Sequence, residues 1–570
     1  MSRLRLTGWS PDGNGGPGPQ VAAALLTGIA LALAFPGADL GPVAFVALVP
    51  LLLAVEAATP RRAGALGYLA GFTFFGLHLA WIAEFLSWTG PVAWLAWGAL
   101  CAVEACFVAA FFALVPATRR LGDWRVLLLP ACWATLELLR AHVPIGGFPW
   151  GLLGVSQHGG GPLLPLARVV GVYGLGAVLV AVNLALARTL QALSRGLAAH
   201  RLPHSAGVAR SRRWIAPAVS WPLLATALAC SGLLAPAPPP VSGAAVNIAV
   251  IQGNVPGAAH STQADRGATT EAVFANHVRD TEALAAAPGP RPQLVVWGEG
   301  AVDDDPFADA DRLTRLSQAA QAADAPLLVG ATDNVGSDHL ATDALLFSPD
   351  GRLLDRYRKR RLVPFGEYVP WGGVLGTLIP ATRDGVPTDK VPGPSLLPMT
   401  VAGVRFGTVI CWESAYAEDA RALARNGAAF LVVVTNNASF GVSAGPPQHL
   451  AAGQLRAVEE GRTLVQAAIS GPSAVIGPDG AIQQRTGLYT EATIRAQVQP
   501  RSGLTPYARF GRLFEAALYL LAAFTLAAVA ALRFREVRIR ERERANGKPE
   551  VGSAPAAPNP AAGSGAGSSR

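Results

Sequence analysis

Apolar stretches long enough to cross a bilayer recur along this chain and constrain its fold more than any other feature. A membrane-spanning helix needs about 20 such residues. Only 15% of the 570 residues are charged and 51% are hydrophobic, whereas a soluble protein is usually about a quarter charged. We predict a polytopic α-helical membrane domain with eight transmembrane helices, at residues 20–36, 41–58, 63–86, 91–115, 125–142, 162–187, 214–235 and 511–532.

The arginines between these stretches predict how the chain is oriented. Alternate connectors carry arginine, and the intervening connectors, including 37–40, 87–90 and 143–161, contain no Lys or Arg. Because basic connectors stay on the cytoplasmic face, both termini are predicted to be cytoplasmic. The net charge of +8 therefore reflects membrane orientation, not a nucleic-acid partner. The arginines behind this prediction are Arg3, Arg5, Arg61, Arg62, Arg119, Arg120, Arg125, Arg188, Arg195, Arg201, Arg210, Arg212, Arg213, Arg533, Arg535, Arg538, Arg540, Arg542 and Arg544.

Between the seventh and eighth spans lies a long, more polar segment in which short apolar runs alternate with helical patterns. That alternation is typical of an α/β domain with helices on the sheet faces. Pro349-Asp350-Gly351 and Pro478-Asp479-Gly480 predict hairpin turns within it. The predicted parts are a cytoplasmic N-terminal segment (1–19), a membrane domain with seven spans (20–235), an extracytoplasmic α/β domain (245–505), the eighth span (511–532) and a basic, then disordered, cytoplasmic tail (533–570).

Four ionisable residues lie inside the predicted membrane domain, where a charge is costly unless it faces a partner or a cavity. They are Glu84, Glu104, Glu137 and Arg140. The i, i+3 spacing of the last two allows a simple ion pair on one helix face. The apolar, turn-rich loop 144–150 follows directly and suits either an interfacial position or a tight structural turn.

Cys411 is the single cysteine of the α/β segment and follows the apolar run 404–410. It has no internal disulfide partner there, so a free reactive thiol is one interpretation. A small buried hydrophobic residue is the other, since most unpaired cysteines are that.

Two further residues lie at the ends of predicted strands, where a sheet can gather them. Glu299 closes the run Leu294-Val295-Val296-Trp297-Gly298, and Lys359 is one of three lysines among 46 basic residues. A thiol that attacks a carbonyl needs a base and donors for the oxyanion, and carboxylate and ammonium groups can supply them. Taken singly, Glu299 could be a solvated strand end and Lys359 a surface charge.

The flanking sequences are more specific than the single residues. Trp297-Gly298-Glu299, the run from Lys359 through Leu362-Val363-Pro364-Phe365-Gly366-Glu367, and Ile410-Cys411-Trp412-Glu413 resemble the Glu-Lys-Cys signature of the nitrilase, or carbon–nitrogen hydrolase, superfamily. With the eight spans, residues 20–532 resemble the bacterial apolipoprotein N-acyltransferase family. Ile251-Gln252-Gly253-Asn254 and Gly445-Pro446-Pro447-Gln448-His449 also resemble family segments.

The resemblance implies an αββα sandwich and a ping-pong acyl transfer in the bacterial inner membrane. Cys411 would take an acyl chain from a phospholipid as a thioester. The chain would then pass to the α-amino group of the diacylglyceryl-cysteine at a lipoprotein N-terminus. Glu299 would be the general base and acid, and Lys359 would stabilise the oxyanion together with the Trp412 backbone N–H. The resemblance implies that Glu367 orients Lys359 or supports the base, and that Glu413 braces the nucleophile turn.

Three positions depart from the family pattern. Gly298 stands where proline is usual and should loosen the turn before Glu299. Trp412 stands where tyrosine is frequent, and Ser439 replaces a large aromatic residue. These departures bear on acyl-chain and acceptor preference and leave the three proposed catalytic residues intact.

A membrane-tethered nitrilase-like amidase is the first alternative, but one small substrate would have little use for eight spans. A transporter or receptor with an ectodomain would explain the intramembrane acids but not the coincidence of Glu299, Lys359 and Cys411. No Cys/His cluster has zinc-like spacing, and no glycine-rich stretch continues into the Lys-Ser/Thr of a phosphate loop. We expect no metal and no cofactor.

Overall fold

The computed structural model of the chain describes residues 17–200, 207–255 and 266–545. Nearly all of the predicted N-terminal segment 1–19, Arg201 and the tail after residue 545 lie outside these ranges. The chain divides into two compact units, Met1–Ala522 and Ala523–Arg570. The first contains a helical N-terminal region and an α/β domain, and the second contains the last turns of the C-terminal helix.

Helices overlap every one of the eight predicted spans. Their bounds are α1 Pro17–Leu33, α2 Val49–Val55, α3 Pro60–His78, α4 Ala80–Phe85, α5 Val92–Ala117, α6 Arg125–Arg140, α7 Ala167–His200 and α8 Gly207–Ala229; after six further helices of the α/β domain comes α15, Pro506–Ala545. Proline at the first helical position and the Thr59 hydroxyl, which accepts from the Arg62 amide, begin α3. Gly171, with φ of 66°, breaks α7 near its start.

Within the described residues, three helices are long and apolar enough to cross a membrane: Val92–Ala117, Leu164–Leu197 and Pro506–Arg542. The segments Gly18–Leu33, Gly41–Val55 and Ile215–Ala229 are apolar but shorter. The predicted span 41–58 contains a short 3₁₀ helix, Gly41–Phe45, and the seven-residue α2, each with a proline in its first turn. A helical region with apolar helices is therefore present, and the eight-span topology stays a prediction.

A buried ion pair links helices α5 and α6. Arg140 on α6 lies 2.9 Å from Glu104 on α5, so Arg140 pairs with Glu104 rather than with Glu137. The same guanidinium nitrogen donates to the carbonyl oxygens of Phe148 and Trp150, and Glu137 accepts from the Leu153 amide at 2.7 Å. Arg140 and Glu137 therefore hold the loop that follows α6.

The α/β domain contains, in its described residues, twelve strands in two six-stranded sheets. Their orders are β12-β1-β2-β3-β4-β5 and β11-β10-β9-β8-β7-β6. The central strands of each sheet are parallel and the outer strands antiparallel. The strands are β1 Val246–Gln252, β2 Leu294–Trp297, β3 Leu327–Val335, β4 His339–Phe347, β5 Leu353–Arg358, β6 Met399–Val401, β7 Val404–Ile410, β8 Leu431–Thr435, β9 Leu464–Ala468, β10 Ala474–Ile476, β11 Ile482–Arg485 and β12 Ala492–Val498.

The two sheets pack face to face between two layers of helices. Leu294 and Val296 of β2 belong to the core between the sheets, and Val295 and Trp297 belong to the core beneath the first pair of helices. This is the two-residue period of a strand that is buried on both faces. The helices of the domain are α9 Arg266–Glu282, α10 Ala310–Ala323, α11 Gly372–Leu378, α12 Ala381–Gly385, α13 Ala417–Arg425 and α14 Gly445–Glu460. The predicted αββα sandwich is confirmed.

Candidate active site

The three predicted catalytic residues follow the ends of three strands. Glu299 lies two residues after β2, Lys359 directly follows β5, and Cys411 directly follows β7. The Lys359 amide continues the β4–β5 pairing by donating to the Thr342 carbonyl oxygen at 2.8 Å. Because β2 and β5 belong to one sheet and β7 to the other, the sandwich brings the three side chains together between its sheets.

Lys359 is held between two carboxylates. Its Nζ lies 2.9 Å from Glu299 and 3.0 Å from Glu367, and the lysine is only 1% exposed. Burial alone would lower the pKa of Lys359, but the two carboxylates and Cys411 outweigh it and hold this pKa well above its ordinary value. The ammonium therefore stays charged and is fixed between the two carboxylates.

Cys411 sits at a sharp turn with φ of 48°, a conformation that costs energy for any residue except glycine. Burial raises the pKa of its thiol to about 12, and Glu299 adds to the rise. Lys359 and a hydrogen bond with the Thr435 side chain oppose that shift. The resting thiol is thus protonated, and attack requires proton transfer to a neighbouring base.

Glu413 ties the Cys411 turn to the segment that carries Lys359. One carboxylate oxygen accepts from the Ile410 amide at 2.8 Å, and the other accepts from the Arg360 amide at 2.7 Å. The Tyr357 hydroxyl donates to the same carboxylate at 2.8 Å. Burial raises the pKa of Glu413 to about 7, and the two amides and Tyr357 oppose the rise. These contacts fit the bracing role that the resemblance implies.

Polar side chains that no sequence motif identified as functional surround the Cys411 turn. His449 Nε2 lies 3.0 Å from the Cys411 carbonyl oxygen and 2.7 Å from the Ser414 hydroxyl. Its Nδ1 lies 3.0 Å from Asn437, which accepts from the Thr435 hydroxyl. Burial lowers the pKa of His449 to about 4, so the imidazole is neutral. In the sequence, the only signal for His449 is the resemblance of the segment containing Gln448-His449 to the family.

The loop after α6 packs directly on the turn that contains Cys411. The Trp150 and Trp412 rings stack with centroids 5.5 Å apart and planes 8° from parallel, and Phe148 packs on Trp412 at 5.3 Å. The Tyr416 hydroxyl donates to the Gly146 carbonyl oxygen at 3.2 Å. Phe148 and Trp150 of the helical region therefore form an apolar wall beside the Cys411 turn, and Trp412 of that turn packs against the wall.

Two glycines let the Glu299 turn lie close to its neighbours. A Cβ on Gly298 would fall 2.6 Å from the Ile469 amide nitrogen, so Gly298 packs against the second sheet instead of leaving the turn loose. A Cβ on Gly330 of β3 would fall 2.4 Å from the Glu299 Cα. The position of Glu299 thus depends on the absence of both side chains.

Gly330→Ala should displace Glu299 and slow acyl transfer by about 100-fold, because small shifts at a reacting group have effects of that size. Overpacking should also destabilise the fold by about 1–3 kcal/mol. Initial rates and thermal unfolding midpoints test both effects. Gly98→Ala is the control, since a Cβ there meets nothing within 4 Å. A wild-type rate in Gly330→Ala would show that the reaction does not depend on the exact position of Glu299.

Among the described residues, no group of three or more His, Cys, Asp and Glu side chains could hold a metal ion. Glu299, Lys359 and Cys411, with Glu367 and Glu413 behind them, are instead suited to thiol-based attack on a carbonyl group. Each chemical part is present in the cluster: a nucleophile, a carboxylate that can accept its proton, and a fixed cation.

Two family models match the chain. A carbon–nitrogen hydrolase model covers residues 247–507, and an apolipoprotein N-acyltransferase N-terminal domain model covers residues 27–185. The fold and the site thus define a nitrilase-type catalytic domain that follows a helical, apolar N-terminal domain.

Three relatives have the same description, apolipoprotein N-acyltransferase. The protein from Geobacter metallireducens is 32% identical over 94% of this chain and 99% of its own length. Those from Mycolicibacterium smegmatis and Gloeobacter violaceus are each 34% identical over 88% of this chain, and over 83% and 93% of their own lengths. The chain belongs to the apolipoprotein N-acyltransferase family. With its apolar helices, it is a bacterial membrane protein.

Proposed function

We propose that the protein transfers an acyl chain from a phospholipid to the α-amino group of an S-diacylglyceryl-cysteine at a lipoprotein N-terminus. The observation that carries this proposal is the buried cluster of Glu299, Lys359 and Cys411 beside the apolar wall formed by Phe148 and Trp150. Family membership supports the acceptor class. The apolar wall supports a phospholipid donor, because both substrates would enter with their acyl chains in the bilayer.

In the first half-reaction, Glu299 accepts the Cys411 proton while sulfur attacks the sn-1 ester carbonyl. Lys359 Nζ and the Trp412 backbone N–H donate to the tetrahedral oxyanion. The C–O ester bond then breaks, and the glycerol oxygen takes the proton from Glu299. A thioester and a lysophospholipid result. The 2.9 Å contact between Lys359 and Glu299 keeps the base and the oxyanion donor in one fixed arrangement.

In the second half-reaction, the neutral acceptor amine attacks the thioester carbonyl. Glu299 takes the amine proton, the new C–N amide bond forms, and the C–S bond breaks. The proton then returns to the Cys411 sulfur, so the site regains its starting state. Glu367 orients Lys359 in both halves, and Glu413 keeps the nucleophile turn in register with Lys359.

The arginine pattern supports a topology with eight spans and both termini in the cytoplasm. The α/β domain of residues 245–505 would then lie on the extracytoplasmic face of the inner membrane, between the seven spans of 20–235 and the span 511–532. Such a placement would let acyl-anchored substrates approach laterally. Each buried CH₂ contributes about 0.8 kcal/mol to such anchoring, so both substrates would stay in the bilayer.

Intact-mass analysis of the purified protein tests this proposal. Incubation with a phospholipid of defined acyl chains should add the mass of one acyl group to the protein. A diacylated lipopeptide should then remove that mass and appear as its N-acylated product. An adduct that decays only to free fatty acid would favour the membrane-tethered amidase, and the absence of any adduct would refute the thioester.

A further inference from the structure

A second lysine lies behind the proposed catalytic one. Lys390 Nζ donates to the Thr342 hydroxyl at 2.7 Å and lies 3.5 Å from Glu367. Its backbone amide donates to the Glu367 carbonyl oxygen at 2.8 Å. The Thr342 hydroxyl donates to the Glu367 carboxylate at 3.1 Å. Glu367 is therefore held between Lys359 on one side and Lys390 with Thr342 on the other.

The charges of this cluster explain why a second cation matters. Glu299 and Glu367 both contact Lys359, so the three groups together carry one net negative charge. That charge opposes a thiolate at Cys411 and an oxyanion beside it. Lys390 adds a second positive charge beside Glu367. Burial raises the pKa of Glu367, but Lys359 and then Lys390 outweigh it, and the net shift is downward.

We propose that Lys390 is a positioning residue that neutralises Glu367 and leaves the field of Lys359 available to the Cys411 sulfur and the developing oxyanion. This role deepens the proposed function and rests on its assignment of Cys411 as nucleophile. Lys390 touches neither sulfur nor substrate, so it acts through Glu367. The sequence shows the position only as one of three lysines in an arginine-rich chain.

Other titratable groups also interact with the cluster. Asp303 interacts with both Lys390 and Glu299, and burial raises its pKa against the opposing effect of Lys390. His449 packs from α14 and is neutral above a pH of about 4, since burial lowers its pKa to that value. Loss of the Lys390 charge should therefore alter the electrostatic potential at the Cys411 sulfur. The effect would act through Glu367 and Lys359, or through Glu299.

The test is the rate at which iodoacetamide alkylates Cys411 across pH, measured by peptide mapping of the full-length protein. Lys390→Met should slow this reaction about threefold to tenfold at a fixed pH near 8, the effect of a rise of roughly half to one unit in the thiol pKa. The acyl-transfer kcat should fall, and KM should stay the same. Lys390→Arg should restore the alkylation rate and kcat, because position 390 is partly exposed and arginine keeps the charge.

Arg291→Met is the control, since it removes an exposed cation that pairs with Asp324 on the surface and should leave alkylation unchanged. Superimposable pH profiles for Lys390→Met and wild type would overturn the proposal. So would failure of Lys390→Arg to rescue, which would indicate packing instead of charge. Alkylation needs no phospholipid, so a shifted profile in a protein that never forms an acyl adduct would support Lys390 while refuting the transfer reaction.

Discussion

Cys411→Ala should abolish the acyl adduct that forms when the protein meets a labelled phospholipid. The thioester needs sulfur as its covalent partner, and alanine supplies none. Removal of a nucleophile that acts as a unit with its base costs on the order of 10⁶-fold in turnover. The adduct is identified by its sensitivity to hydroxylamine and by intact mass. N-acylated lipopeptide should fall below detection in the same preparation.

Two measurements keep this result specific. Cys106→Ala removes an exposed thiol on α5 and should form the adduct at the wild-type rate. The unfolding midpoint of Cys411→Ala should stay close to wild type, because alanine keeps the Cβ of cysteine and lacks only the sulfur. An undiminished hydroxylamine-sensitive adduct in Cys411→Ala would assign the nucleophile to another residue.

The sequence predicts best those strands whose local pattern is unambiguous. Strand β7, Val404–Ile410, has the bounds of the apolar run that was identified before Cys411. The turns at 349–351 and 478–480 join β4 to β5 and β10 to β11, as predicted. Strand β5 has no continuous apolar run, since Asp355, Arg356 and Arg358 make up half of it. The sequence does not predict the pairing of β12 with β1, because the two strands are more than two hundred residues apart.

The candidate site shows the same difference between features set by local sequence and features set by distant contacts. Glu299, Lys359 and Cys411 could be found because each follows a strand in a distinctive local motif. Trp150 could not, because its stacking on Trp412 joins residues of different domains. The contact of His449 with the Cys411 carbonyl likewise arises from the packing of α14 against the nucleophile turn. Local sequence patterns identify the candidate reactive residues, but long-range packing determines which residues surround them.

Lys359→Arg should reduce acyl transfer by about 100-fold or more, although it keeps the positive charge. Loss of one oxyanion donor typically costs about 10²–10³-fold in kcat. The ammonium is a compact donor between Glu299 at 2.9 Å and Glu367 at 3.0 Å. A planar guanidinium is larger and would have to displace one carboxylate in this buried site. Single-turnover measurement of thioester formation separates this chemical effect from substrate binding.

Arg360→Lys is the matched exchange at the next residue. Arg360 lies partly exposed, 3.5 Å from Asp419, and it contacts Glu413 through its backbone amide, which the exchange preserves. We expect wild-type acylation there, so that the loss in Lys359→Arg reflects the geometry around Glu299 and Glu367. Because arginine at position 359 keeps the charge, wild-type turnover in that variant would mean that positive potential alone is sufficient. The ammonium would then not be the required oxyanion donor.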